Sequence, residues 1–227
     1  MQALLVCDDY DESAILSLAM QRVGLTVTTT QDIERASRLF AEHGYEFILL
    51  AVRIGRPADQ VRRFRRETEV PIVIISNSSN EDVLCQALDA GADWVLTRPY
   101  STRLLIMQLR ALLRRTKDTA FLRLPILSVG QVRLDPSTRT VAVGQRPSRR
   151  LTPLEFRLLY TLMIHRGQTV PTPTLIERVW GYEGEGSQEL ARGLVSRLRA
   201  KIEENPKSPR YILTVPGIGY MLTNPEE

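Results

Sequence analysis

The sequence predicts an α/β protein in two parts: a doubly wound parallel sheet of five strands and five helices, then a smaller α+β unit of helices closed by a hairpin. Three observations carry this prediction. Short apolar runs rich in β-branched residues alternate with helical patterns through the first half, the rhythm of parallel strands joined by right-handed crossovers. The rhythm stops at TKDTAFLRLPI, residues 116–126. Beyond it, strand-like segments give way to helical patterns and then to a hairpin signal. A length of 227 residues is long for one ordinary domain and comfortable for two. The expected divisions are 1–117, a linker over 118–125, and 126–227.

In order, ALLVC (3–7), TVTTT (26–30), FILLAV (47–52), PIVIIS (71–76) and WVLT (94–97) read as strands. The helices between them are SAILSLAMQRVG ending at Gly24, DIERASRLFAEHG ending at Gly44, residues 58–67, EDVLCQALDAG ending at Gly91, and residues 101–115. The three glycines fit helix C-caps. In the second part, LSVGQVRLD and TRTVAVG are strand-like and are separated by the turn signal DPST. RLTPLEFRLLYTLMIHRG (150–167) opens with Thr152 as N-cap, Pro153 at the first helical position and Glu155 at the third, a capping box. TPTLIERVWG (172–181) repeats the device with Thr172 and Pro173, residues 187–204 form a third helix, and RYILTVPGIGYML closes as a hairpin around Pro216 and Gly217. Helices followed by such a hairpin make a winged helix-turn-helix.

Composition narrows the function classes. Hydrophobic content of 43% supplies a core for each half, and no apolar stretch reaches the roughly 20 residues that cross a bilayer. The first ten residues, MQALLVCDDY, carry acids where a signal peptide keeps small uncharged residues, so a cytoplasmic protein without membrane partners is expected. Cys7 and Cys85 make no disulfide framework, and with only His43 and His165 there is no Cys/His cluster. No metal and no cofactor are expected. Charge is divided unevenly: residues 1–118 hold 15 Lys and Arg against 16 Asp and Glu, whereas residues 119–227 hold 15 against 10. Such an asymmetry suggests that the second part meets a polyanion.

Ligand chemistry in an open α/β sheet sits beyond the carboxyl ends of the strands. There stand Asp8 and Asp9 after the first strand, Ala51 at the end of the third, Ser76 at the end of the fourth and Arg98 after the fifth. With VCDD and GADWVLTRPY, this constellation resembles the receiver domain of bacterial response regulators over about 115 residues. The resemblance implies an acidic pair holding Mg²⁺, an aspartate taking a phosphoryl group, and a Ser or Thr and a Lys orienting the charged product. Asp8, Asp9 and Ser76 match that pattern. The acceptor position is Ala51, the Lys position is Arg98, and the aromatic switch position on the fifth strand is Val95. Alanine has no nucleophilic atom, and Arg exchanges a compact ammonium for a planar fork. The site therefore reads as degenerate, without phosphoacceptance or catalysis. Asp8 and Asp9 are expected to pair with Arg98 or to cap the helix starting near Ser13. A retained weak metal site, and Asp11 or Asp59 as a replacement acceptor, are the alternatives.

The same family pairs its receivers through the fourth helix, fifth strand and fifth helix, with charged residues crossing the interface. Here those positions hold Leu84, Trp94, Leu104 and Gln108, with Met107 beside them. Exposed ion pairs contribute about 0.2–1 kcal/mol each. A tryptophan burying on the order of 200 Å² at roughly 25 cal/mol/Å² contributes several kcal/mol. A standing homodimer on this apolar surface is expected.

LTPLEFRLL, ERVWG, SRLRAKIE and TVPGIGY resemble the effector domain of OmpR/PhoB-type response regulators over about 100 residues. The resemblance implies a transcription regulator binding double-stranded promoter DNA as a dimer, with RNA polymerase a possible partner. In the third helix, Ala191, Val195, Leu198 and Ile202 form a buried stripe at 4-3-4 spacing. Opposite lie Gly193, Ser196, Arg197, Ala200 and Lys201, with Arg192 at the flank. Arg197 is placed to fork onto guanine, Lys201 or Arg192 onto phosphate, and Leu194 against a thymine methyl. Arg199, near the stripe, reads as structural, and Glu189 faces outward. Thr172, Thr214, Gly217 and Tyr220 complete the expected DNA contacts. Pro216 and Thr172 stand where the family commonly has arginine, which leaves a protein-binding adaptor without DNA reading as the rival class.

Overall fold

The computed structural model describes residues 1–53, 55–116, 124–181 and 187–225. The chain divides into two compact units, Met1–Leu113 and Arg114–Glu227. Most of the linker expected over 118–125 lies outside the described residues.

The first unit alternates strictly: β1 (Gln2–Cys7), α1 (Tyr10–Gln21), β2 (Thr26–Thr30), α2 (Ile33–Glu42), β3 (Phe47–Ala51), α3 (Pro57–Arg65), β4 (Ile72–Ser76), α4 (Glu81–Ala90), β5 (Trp94–Thr97) and α5 (Thr102–Thr116). The strands are all parallel, in the order β2-β1-β3-β4-β5. β3 and β4 are buried at every residue and β1 at every residue after Gln2, as both-face coverage by helices requires. β2, the Thr-rich edge, keeps partial exposure. The chain order reverses between β1 and β3, so their carboxyl ends frame the crevice of the sheet.

Helix ends depart from expectation where a side chain supplies a better partner. α1 begins at Tyr10 rather than near Ser13, because the Asp9 carboxylate accepts the Glu12 N–H at 2.8 Å and caps the helix early. Of the three glycines expected as C-caps, Gly91 alone is one. Arg22 ends α1 and His43 ends α2. Gly91 has φ +122°, and a Cβ there would lie 2.7 Å from Arg65 Cγ. Arg65 donates to the Gly91 carbonyl at 3.1 and 2.7 Å and to the buried Asp93 carboxylate at 2.7 Å. That pair fastens the α4–β5 turn to α3.

The second unit opens with an antiparallel sheet in the order β6-β7-β8-β9: β6 (Leu127–Val129), β7 (Val132–Asp135), β8 (Thr140–Val143) and β9 (Arg149–Arg150). LSVGQVRLD is thus two strands, turned at Gly130 with φ +53°. α6 (Pro153–Ile164) carries the expected capping box, with Thr152 Oγ1 accepting from Glu155 N at 3.2 Å and Glu155 Oε2 from Thr152 N at 2.9 Å. Then come β10 (Val170–Pro171), α7 (Thr172–Trp180), α8 (Ser187–Ile202), β11 (Ile212–Val215) and β12 (Gly219–Leu222). Thr172 does not cap α7. Pro171 holds the cap position without a side-chain bond, and Thr172 lies inside the helix with its N–H tied to the Ile218 carbonyl at 3.0 Å. The hairpin β11–β12 is completed by β10 in the order β10-β12-β11. A Cβ on Gly219 would fall 2.1 Å from the Val170 carbonyl, so this close approach needs glycine. Leu158, Leu162, Leu175, Val179, Trp180, Leu194 and Leu198 build the core beneath α8.

Candidate functional site

Two faces gather the residues that the sequence singles out. The first is the carboxyl edge of the parallel sheet. Asp8 Oδ2 accepts the Arg53 N–H at 2.9 Å, and Asp9 Oδ2 meets the Arg53 guanidinium at 2.9 Å. The Glu12 N–H, more than any other group, holds the Asp9 carboxyl below its ordinary value. Ser76, at 2% exposure, turns its hydroxyl back on its own loop, accepting from Ser78 N at 3.0 Å. Val95 is half-buried on β5 beside Ile74 of β4. Ala51, fully buried, ends β3.

Arg98 does not pair with Asp8 or Asp9. Its fork closes on Glu12, with Nε 2.8 and 3.0 Å from the two carboxylate oxygens and Nη2 2.8 Å from Oε2. The remaining donors reach the Ala51 carbonyl at 2.8 Å, the Ile75 carbonyl at 3.1 Å and Asn77 Oδ1 at 2.9 Å. One guanidinium therefore ties α1 to the ends of β3 and β4. The Tyr100 hydroxyl donates to Glu12 Oε1 at 2.8 Å. Burial raises the Glu12 carboxyl, but hydrogen bonds from Arg98 and Tyr100 outweigh it and the net shift is downward. Glu12, Arg53 and Tyr100 were not legible as site residues. A glutamate in the first turn of a helix is expected to serve the dipole, and nothing local points it at residue 98.

Asp9 is engaged by its cap and by Arg53, Arg98 reaches the Ala51 carbonyl, and Asp8 keeps one buried carboxylate oxygen, Oδ1, without a hydrogen bond. Among the described residues no group of three metal-binding side chains assembles. Of the alternative acceptors, Asp59 is paired with Arg62 at 2.7 Å, and Asp11 is exposed in the first turn of α1.

The residues expected at a dimer surface differ in exposure. Leu104 and Met107 are 50% and 60% exposed, while Leu84 and Gln108 are half-buried. Trp94 is a correction: at 4% exposure it lies inside its own unit. The first residue of β5, paired with Val73 of β4, buries that area within the chain itself, where no partner is needed.

The second face is α8. Its buried stripe holds Ala191, Val195, Leu198 and Ile202 as expected, but it is wider, taking in Leu190, Gly193 and Leu194. Leu194 is fully buried and Gly193 is covered, so neither is available to a base. Lys201 is a second correction. Its ammonium lies 2.7 Å from Glu155 Oε2 and 2.8 Å from the Arg150 carbonyl, because the capping carboxylate, at 2% exposure, requires a counter-charge. Burial pushes the Glu155 carboxyl up, Lys201 and then Arg197 pull it down, and the net is downward. Arg197 thus faces Glu155, with its Nε and Nη1 out of contact with solvent, rather than facing outward.

What α8 does present is Gln188, Arg192, Ser196 and Ala200, all exposed, one turn apart along one line. Arg199 is structural as expected, donating to the Ile212 carbonyl at 2.9 and 2.6 Å and to Thr214 Oγ1 at 2.9 Å, which fixes α8 to the hairpin. Glu189 is half-buried, Thr214, Pro216 and Gly217 are exposed on the hairpin, Thr172 is half-buried, and Tyr220 at 9% exposure belongs to the hairpin's inner side. Arg146 donates to the Ile202 and Glu203 carbonyls and Arg149 to the Ala200 carbonyl, capping the far end of α8.

Residues 3–110 match the family described as the response regulator receiver domain, and residues 145–222 match the transcriptional regulatory protein C-terminal family. The chain is 32% identical over 226 residues to the DNA-binding dual master transcriptional regulator RpaA of Synechocystis sp., covering 96% of this chain and 93% of that protein. It is 34% identical over 233 residues to the transcriptional regulatory protein AfsQ1 of Streptomyces coelicolor, covering all of both. A solved structure of a RitR mutant has the same fold, with a TM-score of 0.73 and 23% identity over 97% of this chain and 98% of that one. No helix among the described residues is long and apolar enough to cross a membrane.

Two of the four basic residues of α8, Lys201 and Arg192, are expected to separate in assay. Lys201→Ala removes the ammonium bonded to the buried Glu155 and should lower unfolding stability by about 3 kcal/mol in urea titrations. Arg192→Ala should leave stability within about 0.5 kcal/mol and weaken DNA binding by about 1–3 kcal/mol per half-site in gel shifts. The opposite assignment of losses would return Lys201 to the DNA face.

Proposed function

The chain belongs to the OmpR/PhoB-type response regulators, DNA-binding transcriptional regulators rather than enzymes, and we propose that its receiver works without phosphorylation and as a standing homodimer. The observation that carries the first part is the closed Arg98–Glu12 fork. A phosphorylated receiver needs an acceptor carboxylate and a cation left free to turn toward the new charge. Here Ala51 offers neither nucleophile nor charge, and the Arg98 guanidinium is already engaged by a carboxylate, two carbonyls and Asn77. Glu12 thus supplies from within the chain the negative charge that a phosphoryl group would bring. The contacts that a modification would otherwise organise are made in the unmodified protein, so the two states a switch requires collapse toward one.

The dimer rests on a smaller set of residues than the sequence suggested. Leu104 and Met107 are one turn apart on α5 and both point to solvent, with Leu84 of α4 half-exposed. Promoter DNA is then read by two copies of the α8 face, with Arg192 and Ser196 at its centre and the hairpin alongside. RNA polymerase is the proposed partner at the promoter.

Incubation with acetyl phosphate and Mg²⁺ should add no phosphoryl mass and should leave affinity for the chain's own upstream DNA unchanged in a gel shift; a one-equivalent mass gain would overturn the reading. Glu12→Gln is expected to lower unfolding stability by about 1–3 kcal/mol at neutral pH. Because the folded Glu12 carboxyl is held below its ordinary value of about 4.5, that contribution is complete above pH 4.5. It is lost as pH falls through the folded value, so wild type and variant should converge in acid. Sedimentation of the full chain at micromolar concentration, without any phosphoryl donor, should give a dimer, and Leu104→Glu with Met107→Glu a monomer. A monomeric wild type would sink the interface.

A further inference from the structure

A pair of arginines in the second unit is arranged at a loss to the fold, with no internal compensation among the described residues. Arg139 is the one non-glycine residue among those described with positive φ, at +54°. For a side chain of this size the left-handed region costs on the order of 1 kcal/mol. It is held there by its carbonyl, which accepts the Leu151 N–H at 2.9 Å, and this places it beside Arg150, the cross-strand partner of Thr140. Arg139 is half-buried, and its guanidinium is disfavoured first by that burial and then by the charge of Arg150. Among the described residues neither side chain makes a hydrogen bond or ion pair, unlike their neighbours Arg146, Arg149 and Lys201, which all do. The nearby acids are already committed. Glu155 is engaged by Lys201, and Asp135 accepts from Ser137 N at 2.9 Å and Ser137 Oγ at 2.7 Å.

Two like charges side by side, one of them half-desolvated, weaken a sheet edge unless an anion bridges them. Two guanidinium forks suit an oxyanion with several acceptors, and phosphate above carboxylate. The location says which phosphate. Arg150 accepts Lys201 Nζ through its carbonyl at 2.8 Å, and Arg149 donates to the Ala200 carbonyl at 2.9 Å, so β9 lies against the last turns of α8. A duplex that receives Arg192 and Ser196 in its major groove carries its backbone past that end of the helix. We propose that Arg139 and Arg150 form a second anion site, which takes a phosphodiester of the DNA backbone flanking the sequence read by α8. The inference rests on DNA binding by this unit. The site adds affinity and fixes the angle at which α8 enters the groove, but carries no base preference.

Fluorescence anisotropy of the full chain on a cognate and a scrambled duplex, between 50 and 300 mM salt, tests it. Each of Arg139→Gln and Arg150→Gln should lower the log-log salt slope by about one unit and weaken both duplexes alike, while Arg150→Lys retains the wild-type slope. Arg192→Ala should instead erode preference for the cognate duplex. Because the pair repels itself, Arg150→Gln should melt no lower than wild type, which separates loss of contact from loss of fold. If wild type and Arg192→Ala behave as stated while both glutamine variants keep the wild-type slope, the site is wrong and DNA reading by α8 stands. Absence of any wild-type DNA binding would remove both. A loss confined to the cognate duplex would make the pair base-reading and overturn the assignment. So would stabilisation of the DNA-free chain by millimolar inorganic phosphate that vanishes in the double variant, since the site would then belong to free phosphate.

Discussion

A carboxylate withdrawn from water must be met by a cation and by hydrogen bonds, and each half of this chain is organised around one such match. Glu12 and Glu155 occupy the same station, the third residue of a helix whose N-cap side chain accepts their backbone N–H. At that station a glutamate ordinarily bends back to the cap and completes a box. Glu155 does so and also takes Lys201, which locks the end of α8 to the start of α6. Glu12 is drawn away from its cap by Arg98 and Tyr100, and joins α1 to the ends of β3 and β4 instead. In both halves the functional face is set by where one charge of the pair cannot go.

Periodicity made the architecture legible. Strand and helix are distinguished by the spacing of apolar residues, which burial imposes directly, and the five parallel strands and the three later helices follow from it, while the capping box of Thr152 follows from its Thr-Pro-x-Glu residues. Partners were less legible. Arg98 was expected against the acids nearest the first strand, but a guanidinium reaches several ångströms, and the first turn of α1 brings Glu12 closer to it than sequence adjacency suggests. Trp94 and Leu194 failed for the opposite reason. Each was assigned outward from its place in the resembled family, Trp94 to a partner subunit and Leu194 to a thymine methyl, whereas a large apolar side chain gains more by burial in its own core than by exposure to a partner that is sometimes absent. Gly130, exposed in the middle of a strand-like run, was the local sign that LSVGQVRLD folds back on itself.

The basic excess of the second half needs a finer reading than a net count. Arg146, Arg149, Arg199 and part of Lys201 donate to backbone carbonyls at the end of α8 or on β9 and β11. Such bonds satisfy donors without cancelling charge, so the field around the unit remains positive although these four side chains are held within the fold. The field acts on approach, raising the rate at which a polyanion is met. On the proposed reading, contact and discrimination fall to side chains that remain unengaged, among them Arg192 on the exposed line of α8 and the Arg139–Arg150 pair. A sequence-level charge therefore predicts the partner's sign well and the contacting residues poorly.

A receiver that carries its own counter-charge changes where regulation acts. In a two-state protein a ligand shifts the balance only by its differential affinity for the states. Where Glu12 already closes the Arg98 fork, little differential is left for a covalent phosphate to exploit. On the proposed reading, control passes to the steps still governed by mass action: association of two copies and occupancy of two half-sites, both of which rise steeply with the amount of protein. An apolar contact at Leu104 and Met107 suits this regime better than a charged one. Its strength varies little with salt, whereas DNA binding by arginine falls as salt rises. In the proposed homodimer, subunit pairing and DNA occupancy then depend on different solution variables within one chain.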